Sequence, residues 1–388
     1  MGRTDLRSGR LRKAAVGCLG VLLVGMAATP AHAESVRSQQ WHLDAMHAEE
    51  MWKTSKGEGV TVAVIDSGVD ASVPDLRGQV LKGEDMTDRS GDAQDDLRGH
   101  GTSMAALIAG TGKSSEGQGA YGLAPAAKIL PIRLEDSTQD SKNQAEAEKN
   151  FPKKVAPAIR RAADSEAKII NISLGSEGTS KELTAAVKYA LSKDKLVFAA
   201  VGNEGDVMNP VGYPAATPGV IGVGAIGKDS KVTKESVTGE QVDLVAPGKD
   251  MVAACTEGSG VCTSHGTSDA TAIASASAAL IWSKHPDWTA NQVTRVLVST
   301  AGGAQSGKER TDEGGYGAVR PRIALAEPGD PGDPKTNPLP GPYYEGDKSG
   351  GAEKENGKGS GADQAAAASG GDGGTSTGQW VGYGVGGV

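Results

Sequence analysis

A chain of 388 residues can form one large domain or two small ones, and with 37% hydrophobic residues it can bury a sizeable core. The net charge of −8 and a pI near 5.4 offer no basic face, which argues against nucleic acid as a partner.

In chain order, the first segment reads as an address. Arg3, Arg7, Arg10, Arg12 and Lys13 precede the apolar run AAVGCLGVLLVGMAA, which ends in AHA before Glu34. That pattern predicts a signal peptide over 1–33, cleaved after Ala33, and so a secreted protein, extracellular or held at the cell envelope. The run is too short for a membrane anchor, and Cys18 within it lacks the preceding residues of a lipoprotein signal.

From about Trp41 onward, two kinds of apolar segment alternate. VTVAVID (60–66), KILPIRL (128–134), KIINISL (168–174), LVFAAVG (196–202) and VIGVGAI (220–226) are short and continuously apolar, as buried parallel strands are. Between and after them, 100–110, 155–164, 180–193, 267–285 and 291–301 carry helical patterns. The whole predicts an α/β fold, a three-layer α/β/α domain over 34–326 with a mostly parallel central sheet. The polar stretch 135–154 is expected to be a surface loop near the strands' carboxyl ends.

After Glu327 the composition turns to Gly, Pro and charge, with few apolar anchors, so 327–388 is expected to be a disordered, mildly acidic tail. Its end, WVGYGVGGV, is too short to cross a bilayer. Without the signal segment two cysteines remain, Cys255 and Cys262, which in an exported protein are expected to form a disulfide around TEGSGV. No second ligand pair suggests zinc, and Asp85, Asp88, Asp92, Asp95 and Asp96 read as a solvated acidic loop, not as metal ligands.

Peptide hydrolysis at neutral pH needs an activated hydroxyl, a base, a group that holds the base in one tautomer, and donors for the oxyanion. Asp66 ends an apolar strand and is followed by a turn at Gly68, which puts a carboxylate at the sheet's carboxyl edge. His100 sits between glycines at the start of a small-residue helix. Ser268 begins a long Ala- and Ser-rich helix, where the helix dipole favours developing negative charge. Asn203 follows a strand directly and can donate its amide to an oxyanion. No cofactor is called for.

With the order Asp, His, Ser and the strings VIDSGVD, GHGTS, AAVGNEG and HGTSDA, residues 41–326 resemble the subtilisin-like serine peptidases, the subtilases. The resemblance implies a serine endopeptidase with Asp66, His100 and Ser268 as its triad and Asn203 in its oxyanion hole. It also implies that Ser173, Leu174 and Gly175 line the primary specificity pocket and pair with an extended substrate backbone. The lead QWHLDAMHAEEMWKTSKGEG, the exported setting and the Pro/Gly-rich tail are similar to mycosins, whose membership implies protein substrates and partners within a type VII secretion system. Mycosins end in a membrane helix, which the tail does not supply.

Two positions depart from the family pattern. Asp269 stands where methionine is usual after the nucleophile, and Ala272 where proline is usual. A carboxylate at 269 would oppose oxyanion formation if it pointed into the cleft. The stretch before Asp66 is too short for a folded inhibitory prodomain, so 34–50 is expected to support the fold. A different class of function, a catalytically weak extracellular scaffold binding secretion-apparatus proteins, would keep the same fold. The GxSxG elbow of a lipase or esterase is missing around Ser268.

Overall fold

A computed structural model describes residues 35–96, 98–114, 119–134, 144–302 and 310–339. The expected signal segment 1–33, the stretch 135–143 and the tail from 340 on lie outside the described residues.

Three short helices, α1 (Val36–Gln39), α2 (Trp41–Ala45) and α3 (Ala48–Met51), precede β1 (Thr61–Asp66) and β2 (Glu84–Asp85). Then come α4 (His100–Ala109), β3 (Lys128–Arg133), α5 (Gln144–Asp164), β4 (Ile169–Ile172), α6 (Lys181–Ser192), β5 (Leu196–Ala200) and β6 (Ile221–Ile226). The remainder is β7 (Leu244–Pro247), β8 (Met251–Ala254), β9 (Val261–Ser264), α7 (Thr267–Lys284), α8 (Ala290–Ser299) and α9 (Pro321–Ala326).

Seven strands form one sheet in the order β2-β3-β1-β4-β5-β6-β7, every pair parallel. Each residue of β1 is buried because the sheet is covered on both faces, which is why the strands read as continuous apolar runs. Alternate side chains serve the two layers: Val62 and Val64 pack with Met104, Leu107, Ile273 and Leu280, whereas Ala63 and Ile65 pack with Val155, Ile159 and Val187. The first layer is thus α4 and α7, the second α5 and α6.

Helix α7 is buried almost all round, so it has no apolar stripe to read. Its alanines and serines allow close approach to the sheet. Thr271 and Ser277 return their hydroxyls to the carbonyls of Thr267 and Ile273, which satisfies them inside the core.

Two boundaries differ from the sequence expectation. Helix α5 begins at Gln144, not at 155, because Ala147, Phe151 and Val155 fall on one buried side and carry the helix through most of the expected loop. Pro152 and Pro157 lie inside it and mask the pattern. The described part of the expected tail, 327–339, runs along α8. Gln292 donates to Gly332 O, Thr289 and Asn291 donate to Pro334 O, and Leu339 is buried.

Cys255 and Cys262 are bonded across the antiparallel β8–β9 pair, with Cα atoms 5.8 Å apart. Among the described residues no helix is long and apolar enough to cross a membrane.

Candidate active site

Asp66 closes β1, the strand between β3 and β4, at the sheet's carboxyl edge. It is fully buried, and its Oδ1 lies 2.7 Å from His100 Nδ1 and accepts from Ser67 N at 2.8 Å. Its Oδ2 has no hydrogen-bond partner among the described residues. His100 is the first residue of α4, and Gly101 after it lets the helix close on the strand. A β-carbon at Gly101 would stand 2.1 Å from Gly68 O and 3.0 Å from Asp66 Cβ.

A second carboxylate braces this junction. Asp96 Oδ1 accepts from Ser67 Oγ (2.8 Å), Arg98 N (3.0 Å) and Gly99 N (2.9 Å). Its Oδ2 takes both the N–H and the hydroxyl of Thr102, at 2.8 and 2.7 Å. Asp96 was expected in a solvated acidic loop; the structure makes it the anionic cap of α4, because its position just before the helix meets unpaired N–H groups. The sequence signal was an aspartate three residues before a helix-opening glycine. Its former companions are engaged locally: Asp85 caps Thr87, Asp92 accepts from Gln94 N, and Asp95 accepts from Asp92 N. Among the described residues no cluster of three or more His, Cys, Asp or Glu suits a metal ion.

Ser268 sits in the first turn of α7, which packs against α4. Its Oγ donates to Ser173 O at 3.0 Å, and Ser173 Oγ donates back to Ser268 O at 3.1 Å. Behind them Asn171 Nδ2 donates to Ser173 Oγ (3.1 Å) and Ser275 Oγ donates to Asn171 Oδ1 (3.0 Å). This buried chain ties the backbone of Ser268 to β4, and sequence reading missed it because Asn171 and Ser275 look like stray polar residues in apolar segments. Among the described residues no hydrogen bond joins Ser268 to His100.

Asn203 follows β5, and its Oδ1 accepts from Thr267 N (2.8 Å) and Thr267 Oγ1 (3.1 Å). With the oxygen committed, the amide nitrogen is left as a donor, unpaired among the described residues. Gly266 at φ +148 makes this possible, since a β-carbon there would lie 3.1 Å from Asn203 Nδ2. Ser173, Leu174 and Gly175 leave the carboxyl end of β4, where the neighbouring Ser176 pairs with Tyr213 in an antiparallel bridge, and Gly175 is exposed.

Burial lowers the proton affinity of His100, but the adjacent, hydrogen-bonded Asp66 carboxylate outweighs it, and Asp269 and Asp96 add to the effect, raising the pKa to about 9. The His100 side chain keeps 39% of its surface, so the charged form can be solvated. Asp269 is itself buried and bonded to Ser264 Oγ, and burial pushes it up to about 6.

The model of the subtilase family matches residues 57–321 of the chain. Subtilisin E of Bacillus subtilis is 36% identical over 247 residues, which is 63% of this chain and 61% of that protein. An intracellular serine protease of Paenibacillus polymyxa is 36% identical over 245 residues, 62% of this chain and 71% of that one. Among solved structures, MycP1 from Mycobacterium smegmatis is similar at a TM-score of 0.65 and 27% identity, over 76% of this chain and 86% of that one. The MycP3 protease from the type VII (ESX-3) secretion system is similar at a TM-score of 0.61 and 33% identity, over 74% of this chain and 87% of that one.

Proposed function

The chain belongs to the subtilase family and is a subtilisin-like serine endopeptidase; on that premise we propose that Asp66, His100 and Ser268 form its catalytic triad, with Asn203 completing the oxyanion hole. The observation that carries this reading is the 2.7 Å contact of His100 Nδ1 with the buried Asp66 Oδ1, beside the helix turn that bears Ser268. That contact fixes the proton on Nδ1 and leaves Nε2 free to act as base. The hydroxyl of Ser268 turns from Ser173 O toward Nε2, gives up its proton and attacks the scissile carbonyl. The oxyanion is met by Asn203 Nδ2 and by the positive end of α7. As the scissile C–N bond breaks, His100 Nε2 passes its proton to the departing amine. Water, deprotonated by the same nitrogen, then hydrolyses the acyl-enzyme and returns Ser268 to its hydroxyl form. An extended substrate lies along Ser173, Leu174 and Gly175 and pairs with their backbone.

The test is labelling by a serine-directed fluorophosphonate. Wild type should label and Ser268→Ala should not. A wild type that stays unlabelled would favour the scaffold function, in which the fold binds secretion-apparatus proteins without cleaving them.

The finer setting is also proposed. The likeness to MycP1 and MycP3 and the disulfide across β8–β9 support an exported enzyme, freed of residues 1–33, that processes proteins of a type VII secretion system at the cell envelope. Comparing the envelope and secreted peptides of cells carrying wild type or Ser268→Ala would expose such substrates. An identical peptide set would count against the assignment.

A further inference from the structure

Two neighbouring residues ahead of β1 reach across to the far half of the chain. Gln40 Nε2 donates to Val252 O (2.9 Å), and Trp41 Nε1, at the start of α2, donates to Lys249 O (3.0 Å) and Asp250 O (3.1 Å). The acceptors of Trp41 form the turn between β7 and β8.

That turn is pressed against the helix that carries Ser268. Gly248 O accepts from Gly266 N at 2.7 Å, and Gly248 N donates to Ile226 O, at the end of β6, at 3.0 Å. A β-carbon on Gly248 would stand 2.6 Å from Gly266 O, 2.8 Å from Ala225 Cβ and 3.1 Å from Ala270 Cβ. The turn therefore has no slack against β6 or the first turn of α7, and a shift in one is passed to the other. Gly266 is also where the oxyanion amide is seated. Thr267 beside it donates its N–H to Asn203 Oδ1, a β-carbon on Gly266 would crowd Asn203 Nδ2, and Ser268 follows.

We propose that Trp41 is a positioning residue: its indole N–H holds the 248–250 turn, which through Gly266 sets the spacing between Asn203 Nδ2 and Ser268. The inference rests on the proposed triad and oxyanion hole. It gives the segment before β1 a task beyond folding, since a chain that loses only this bond stays folded and turns over slowly. Misplacing a catalytic group by about 1 Å costs up to about 10²-fold in rate. The turn remains held by Gly266 and Ile226, so a smaller loss, roughly tenfold in kcat, is expected. KM should change little, because the interaction affected is made in the transition state.

Trp41→Phe keeps an aromatic ring and removes the donor. Trp52→Phe is the control: it removes a similar bond from the same stretch, Nε1 to Leu123 O at 2.8 Å, that does not end on the 248–250 turn. Steady-state kinetics on a fluorogenic peptide, with circular dichroism at the assay temperature to verify folding, are measured for both and for Trp41→Phe in an Asn203→Ala background. Trp41→Phe should lower kcat about tenfold and Trp52→Phe less than twofold. In the Asn203→Ala background Trp41→Phe should cost less than about threefold more, because the two changes act on one group. A Trp41→Phe kcat within twofold of wild type, an equal fall in Trp52→Phe, or a larger further loss in the Asn203→Ala background overturns the inference alone. Trp41→Leu, which also lacks the donor, takes the place of Trp41→Phe should that fail to fold; if neither folds, the indole serves the fold only and the proposal fails. A wild type that is inert and unlabelled by fluorophosphonate, or an Asn203→Ala variant as fast as wild type, overturns the underlying reading of the site instead.

Discussion

Ser67 donates its hydroxyl to Asp96 Oδ1 at 2.8 Å, and that single bond joins the residue after Asp66 to the cap of the helix that begins with His100. The two ends of the Asp66–His100 pair are thus held by a group that, among the described residues, is hydrogen-bonded to neither. Replacing Asp96 by Ala should misplace the imidazole, and small misplacements of a catalytic group cost up to about 10²-fold in rate. The loss of a charged cap should also cost about 1–2 kcal/mol of stability. Asp96→Asn keeps an acceptor for Ser67 and should recover part of the rate. Steady-state kinetics alongside urea unfolding of both variants checks this; equal kcat in wild type and Asp96→Ala would rule it out.

Asn203 is anchored through its oxygen, so its nitrogen is the only part free to meet an oxyanion. Asn203→Ala should lower kcat by about 10²–10³-fold with little change in KM, a range measured for subtilisin's own oxyanion amide and carried over here from that relative. Asn203→Asp, which offers only acceptors above its pKa, should be no better. A kcat within a few fold of wild type would remove Asn203 from the mechanism.

Much of this site is legible in the sequence because it sits where continuous apolar strands end. Asp66 and Asn203 both stand just past such runs, and the small-residue helices that begin at His100 and Thr267 follow short glycine-containing turns. The relations between elements are not legible. β7 is only Leu244–Pro247, an apolar quartet ended by Pro-Gly that reads as a loop, and it becomes a strand because β6 offers it a parallel edge. The β8–β9 hairpin is likewise settled by tertiary pairing. Asp96 looked like one acid among five, and only the approach of Ser67 and Thr102 distinguishes it.

His42 ties stability to pH. It is fully buried, neither ring nitrogen has a hydrogen-bond partner among the described residues, and burial, with Arg37 nearby, holds its pKa down to about 3 from 6.5. Below pH 6.5 the unfolded chain takes up a proton that the folded chain refuses, so stability falls as the pH drops from 6.5 toward 3. At pH 5 this group alone should remove roughly 2 kcal/mol relative to pH 7.5. Urea unfolding at both pH values should show a smaller difference for His42→Leu than for wild type. Equal differences would mean the imidazole is not excluded from charging.

The segment before β1 belongs to the fold, and Gln40 is where that can be tested with one substitution. Its side chain is fully buried and works as a two-way clamp: Oε1 accepts from Tyr121 N at 2.9 Å, while Nε2 donates to Tyr121 O at 2.8 Å and to Val252 O at 2.9 Å. It thus bonds α1–α2, the loop after α4 and the β8 strand together, and Leu43, Met46 and Met51 of the same segment belong to the buried apolar core. Gln40→Ala would strand a buried N–H and leave two carbonyls short of a donor, at a cost of about 2–4 kcal/mol. Removing 35–50 adds the loss of that apolar surface and should lower the unfolding midpoint further, with activity falling at temperatures where wild type remains folded. An inhibitory segment would behave in the opposite way, because its removal uncovers the cleft. A truncated protein that is more active than wild type and equally stable would therefore reverse the structural role assigned to these residues.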